Sequence, residues 1–116
     1  MQQIQIPPLH EGEVYLTGFI NANGDLTHVI LLPGDTRTTW PKALEWAKSI
    51  GGDLPTRAEQ AVAYAKCRDQ FQQAAYWSNE PDGSGWAWGQ YFSSGGQTSG
   101  NHTYELRARA VRRLTV

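Results

Sequence analysis

The sequence predicts a single α+β domain, and three observations carry that prediction. An alternating apolar run interrupted by Asn23-Gly24 reads as a β-hairpin. Two helical segments follow, joined by the corner "GGDLPTRAE". Beyond Phe71, short aromatic runs alternate with glycine-rich connections, the pattern of small strands. A chain of 116 residues fits one domain. Folding at that length buries about two thirds of the unfolded surface, enough for a real core. Twelve glycines and five tryptophans indicate a loop-rich chain whose core leans on aromatic rings.

Residues 1 to 12 read as a polar, proline-interrupted lead-in. In "EVYLTGFINANGDLTHVILLPGD", Val14, Leu16, Gly18 and Ile20 alternate with Tyr15, Thr17 and Phe19. Asn23-Gly24 supplies the positive φ angles of a tight turn, and Leu26, His28, Ile30 and Leu32 continue the alternation. Pro33-Gly34-Asp35 ends the return strand. In "TTWPKALEWAKSIGG", Trp40, Ala43, Leu44, Ala47 and Ile50 form one apolar helical stripe. Thr39 is placed to cap its first turn, Pro41 is tolerated there, and Gly51-Gly52 ends it.

The next helix starts at a capping box, Thr56-Arg57-Ala58-Glu59. Pro55 keeps Leu54 extended, so Leu54 enters the core just before the helix. This helix is expected to run to about Phe71 with Ala58, Ala61, Val62 and Ala65 inward. Tyr76-Trp77-Ser78 and "WAWGQYF" read as strands, and "NEPDGSG" as the loop between them. Trp86, Trp88 and Gln90 share one face, and Ala87, Gly89 and Tyr91 the other. Trp77 and Trp88 are expected in the core, Trp86 and Tyr91 outside. "SSGGQTSGNHT" reads as a loop, and "YELRARAVRRL" as a last strand with Leu106, Ala108 and Ala110 on one face.

These segments in this order resemble the C-type-lectin-like superfold, in the branch of Lcl-type C-terminal domains. The residues that carry the likeness are "GGDLPTRAE", "YWSNE", "AWGQYF" and "RARAVRRL", spanning about residues 40 to 114. The corner "LPTRAE" is similar to that of formylglycine-generating enzymes, which share the superfold. The resemblance implies two helices packed on small twisted antiparallel sheets, with the N- and C-terminal strands close together. It also implies a ligand-facing region in the loops after Trp77 and Phe92. Relatives of this kind mostly bind glycans, cell surfaces or protein partners, and are frequent in bacteria and their phages.

The chemistry-bearing residues point the same way. Glu80-Pro81-Asp82 resembles the triplet with which lectins of the superfold hold calcium and sugar hydroxyls. Calcium needs six to eight oxygens, and the next strand offers Trp88-Gly89-Gln90 with no carboxylate. A polar turn is therefore expected, with no metal and no cofactor. The lone Cys67 has no partner for a disulfide, and no cysteine follows it to serve formylglycine chemistry. His10, His28 and His102 lack metal-ligand spacing. His28 is expected to be half-buried in its strand. Arg107, Arg109, Arg112 and Arg113 read as a solvated strand face balanced by Glu11, Glu13 or Glu105. A net charge of −1 disfavours nucleic acid.

No run approaches the roughly 18 apolar residues of a membrane span. The start has neither basic nor apolar character of a secretory signal, which leads to a cytoplasmic expectation, in a host cell or on a virion if phage-encoded. The leading expectation is a non-enzymatic module binding a protein partner through Asn79, Glu80, Asp82, Trp86, Gln90, Tyr91, His102 and Tyr104. An inhibitor of a host defence complex and a receptor-binding protein both suit it. Alternatives are a calcium-independent glycan-binding domain, an enzyme using Glu80, Asp82 and His102, and a structural tail component.

Overall fold

A computed structural model describes residues 5–116. Met1–Ile4, the first four residues of the expected lead-in, lie outside them. The hairpin pairs β1 (Val14–Ile20) with β2 (Leu26–Leu31), and β8 (Val111–Thr115) joins the far side of β2. The second sheet has the order β3 (Thr36–Thr38), β7 (Leu106–Ala108), β4 (Ala75–Pro81), β5 (Trp86–Tyr91) and β6 (Gln97–Asn101). Only β4 and β7 run parallel. Two helices, α1 (Trp40–Ser49) and α2 (Arg57–Cys67), pack on these sheets, so the domain is α+β as expected.

Each helix closes one half of the core. Leu16, Val29, Leu31 and Val111 meet Ala63 and Cys67 of α2, together with Phe71, Tyr76 and Phe92. Leu32, Leu54, Trp77, Ala87, Ala108 and Ala110 meet Ala43 and Ala47 of α1. Alanine at these helical positions lets backbone approach backbone, and the bulk comes from aromatic rings.

The hairpin connection spans Asn21 to Asp25, longer than a two-residue turn, and only Gly24 has a positive φ. Asn23 does not, because Asn21 Oδ1 accepts the amides of Asn23 and Asp25 and builds the loop instead. Thr39 sits at the N-cap of α1, but its hydroxyl accepts no amide. Pro41 removes one of the two N–H groups that such a cap would bind. His28 is fully buried rather than half-buried, tied by Nδ1 to the Tyr15 hydroxyl at 2.6 Å.

The capping box of α2 forms as read: Thr56 Oγ1 accepts the Glu59 amide, and Glu59 Oε1 accepts the Thr56 amide. The helix ends at Cys67, followed by a 3₁₀ turn over Arg68–Gln70. Its inward face differs from the alanine stripe. Glu59, Gln60, Ala63 and Cys67 are buried, whereas Ala58, Ala61 and Ala65 face solvent. Polar ties outweigh the weak apolar pull of alanine. Glu59 binds Arg113, and Gln60 Nε2 donates to the carbonyls of Tyr76 and Trp77.

The expected last strand is two strands. The chain leaves the larger sheet at Ala108 and enters the smaller at Val111. Between them Arg109 is buried rather than solvated, and its guanidinium donates to the carbonyls of Leu32 and Gln70. Arg113 is also drawn in, to Glu59 and Asp53, and Arg107 pairs with Asp35. Only Arg112 meets an expected partner, Glu13, through two hydrogen bonds of 2.9 and 2.8 Å.

That hydrogen-bonded Arg112 guanidinium holds the Glu13 carboxyl at about 2, against 4.5 ordinarily. A depressed folded-state value adds stability above pH 4.5 and loses it as pH falls towards 2. The urea midpoint of the native chain should therefore fall between these two values by more than that of Glu13→Gln. Parallel pH profiles for the two proteins would refute this.

The corner between the helices depends on Gly52. A Cβ there would stand 2.5 Å from the Val111 carbonyl oxygen and 2.7 Å from Leu32 Cδ1. Beside it, Asp53 and Val111 exchange two backbone hydrogen bonds of 2.8 Å, which dock the corner on β8. Gly52→Ala should cost about 2–3 kcal/mol in urea unfolding, the range of core overpacking. A change under about 0.5 kcal/mol would show that the corner yields freely.

Candidate functional site

The site is built on the β4–β5–β6 end of the larger sheet. The register sets Trp86 opposite Asn101, Trp88 opposite Ser99 and Gln90 opposite Gln97, so these six side chains share one face. The first turn of α2 crosses the Gln90–Gln97 end of it. Gln90 Nε2 donates to the Gln60 carbonyl at 2.7 Å. Gln97 Nε2 donates to Gln90 Oε1 and to the Arg57 carbonyl, both at 2.8 Å. In return Arg57 Nε donates to Gln97 Oε1 at 3.1 Å, and the guanidinium carbon lies over Trp88, 3.6 Å from the ring centre. Such a cation–π contact with a hydrogen-bonded guanidinium fixes a long side chain in one rotamer.

This arrangement revises several expected positions. Gln90 is 1% exposed and cannot touch a partner, because the helix end covers it. Trp88 is not in the core. It is half-buried under Arg57, while Trp77 is buried completely. Trp86 and Tyr91 are exposed as expected, at 41% and 45%. They do not form one platform. They point to opposite faces of β5 and stand five residues apart, about 17 Å. Tyr104, 58% exposed, follows Asn101 and so lies at the Trp86 end.

The polar residues are held separately. Asn79 Nδ2 donates to Asp53 Oδ2 at 3.0 Å, and its amide to the Pro55 carbonyl. Glu80 Oε2 accepts the Arg57 amide at 2.7 Å, a second anionic cap on α2. Asp82 Oδ1 accepts the hydroxyl and the amide of Ser84, and these bonds, the hydroxyl first, hold its carboxyl below the usual range. His102 stacks on Trp40 with ring centres 4.4 Å apart. Glu80, Asp82 and His102 thus serve three different local partners. Among the described residues no group of three His, Cys, Asp or Glu is placed to hold a metal ion.

Arg57 is the residue that sequence reasoning missed. It was legible only as a member of the capping box. Its contacts with Trp88 and Gln97 span 31 and 40 positions, and no local pattern encodes them. The expected loop "SSGGQTSGNHT" contains β6, and with it Ser99 and Asn101 of this face. Gln, Thr, Ser, Gly and Asn carry no strand signal of their own. Pairing with β5 makes the strand.

No helix among the described residues is long and apolar enough to cross a membrane. The chain matches no protein-family model, and no curated protein is significantly similar to it.

Proposed function

We propose that the chain is a non-enzymatic recognition module of the C-type-lectin-like superfold that binds a protein partner through the Trp86 end of β5 and β6. One observation carries this reading: Trp86 and Tyr104 are exposed at the Asn101 end of the β5–β6 face, next to Trp88, over which Arg57 is held. Trp, Tyr and Arg are the residues that protein interfaces concentrate at their energetic centres. A clamped arginine and two-torsion aromatic side chains lose little entropy on binding. The separate engagement of Glu80, Asp82 and His102 argues against shared acid–base chemistry, which needs groups within hydrogen-bond reach of one reacting atom. In the phage setting that the resemblance suggests, the partner is a host defence complex or a receptor.

The test compares immobilised native chain with Trp86→Ala/Tyr104→Ala against lysate of the source cell or its host. A specific protein should be retained by the native chain and lost about tenfold or more by the variant, a loss of at least ~1.4 kcal/mol. Unfolding temperatures should agree, since both side chains are solvent-facing. Capture that is indifferent to both residues would end the proposal. A second reading, a calcium-independent glycan site, is favoured by the exposed Trp86 ring beside Asn101 and Ser99. Retention of a glycan by native chain in the presence of chelator, lost in Trp86→Ala, would select it.

A further inference from the structure

The two sheets have four edges, and three of them are blunted. β1 carries a bulge between Tyr15 and Thr17. β3 is three residues long and bears Arg37. β8 is bridged by Asp53 at Val111 and carries Arg112 and Arg113. Bulges, short strands, charges and covering segments are how proteins keep edges from pairing with other chains. β6 has none of them. Its five residues are Gln-Thr-Ser-Gly-Asn, without charge or proline, and its register against β5 is unbroken.

The outward groups follow from hydrogen-bond parity. The Tyr91 amide donates to the Gly96 carbonyl at 2.8 Å, so the bonded pairs are Tyr91–Gly96, Gly89–Thr98 and Ala87–Gly100. The backbone groups of Gln97, Ser99 and Asn101 therefore turn away from β5. Those of Gln97 and Ser99 have no backbone partner on that side among the described residues. The Asn101 carbonyl accepts the Tyr104 amide and keeps its second lone pair.

We infer that β6 is a self-association edge, and that its occupant is β6 of a second copy, antiparallel about a two-fold axis at Ser99. The outward residues are symmetric about Ser99. Gln97 of one copy meets Asn101 of the other, and Ser99 meets Ser99, which joins two five-stranded sheets into one of ten. Charge fits this orientation. Arg57 Nε bonds Gln97 at one end of β6, and Asp82, whose amide donates to the carbonyl of Trp86 opposite Asn101, lies towards the other. Antiparallel pairing brings the cationic end of each copy to the anionic end of the other, whereas parallel pairing sets like against like. This inference is independent of the proposed recognition function.

The test uses disulfide trapping in the full chain. Ser99 residues opposed across the axis would have Cα atoms about 5.5 Å apart, within disulfide span. Thr98 faces Gly100 of the other copy, so two Thr98 positions stand farther apart than that span allows. Under mild oxidation Ser99→Cys should form covalent dimer at least about tenfold faster than Thr98→Cys. Cys67 is buried and contributes little background. Sedimentation equilibrium should show native chain in concentration-dependent monomer–dimer exchange. Ser99→Pro should weaken it about tenfold or more without removing a bond of the β5–β6 ladder. Equal trapping of both cysteines, or a strictly monomeric native chain at millimolar concentration, would overturn the inference. So would association that survives Ser99→Pro but is lost in Leu114→Ser, on the separate apolar patch of Ile6, Leu26, Leu114 and Val116.

Discussion

Trp77→Ala should cost about 3–5 kcal/mol in urea unfolding, the range for deleting a buried tryptophan. Trp77 is fully buried between α1 and the larger sheet. Its indole N–H donates to the Thr38 carbonyl at 2.9 Å, which holds the short edge strand β3 in place. Its ring lies against the position of Gly100, where an added Cβ would be 3.4 Å away. Deletion therefore leaves a cavity, an unpaired carbonyl and a loosened β6 at once. A domain with roughly 5–15 kcal/mol of total stability loses a large share of it. Trp77→Phe keeps most of the volume but not the hydrogen bond, so it should fall between native and Trp77→Ala. A loss below about 1 kcal/mol for Trp77→Ala would mean that the second core cluster is not organised around this ring.

Breaking the Glu59–Arg113 pair should rank next. The Glu59 side chain is almost fully buried, and it accepts Arg113 Nε and Nη2 at 2.7 Å each. The bond to Glu59, foremost, raises the guanidinium's pKa further above its ordinary value, despite the opposing effect of burial. Removing one partner of a buried ion pair costs about 3–5 kcal/mol when the other charge is left uncompensated. Arg113 keeps Asp53 and the Leu54 carbonyl, so the loss should fall at the low end of that range. Glu59→Ala also loses the capping box, about 1 kcal/mol more. Glu59→Gln keeps a capping side chain and removes only the charge, so it should cost less than Glu59→Ala. In a double-mutant cycle with Arg113→Met, the two losses should be coupled by at least about 1 kcal/mol. Strict additivity would show that the pair contributes nothing beyond its separate contacts. Asp53 shares the arginine, so the coupling is to the triad rather than to Glu59 alone.

These two residues mark the boundary of what local pattern reveals. Trp77 was legible as core because an aromatic residue in a short strand has few other places to go. The inward turn of Glu59 was not, because the same residue in a capping box normally faces water. Its burial follows from Arg113, 54 positions away. The candidate site divides in the same manner. Alternation made Trp86 and Tyr91 legible as exposed aromatic residues on opposite faces of one strand, and the structure keeps both so. Alternation placed Gln90 on the face of Trp86 and Trp88, where it was expected to touch a partner. Alternation gives the face of a strand but not what covers that face, and here α2 covers it.

The sequence by itself determined the two helices, the capping box, the hairpin and the glycine corner. Each rests on interactions within a few residues: an amide with a hydroxyl three positions back, an apolar stripe at helical spacing, a glycine where φ must be positive. Only the tertiary structure decided which face of α2 turns inward, that the arginine strand divides between two sheets, and that "QTSGN" is a strand. The first two outcomes depend on charged and polar groups finding partners 16 to 99 positions away, and the third on pairing with β5. Such partnerships form because a buried polar group must be satisfied wherever its partner lies in the chain.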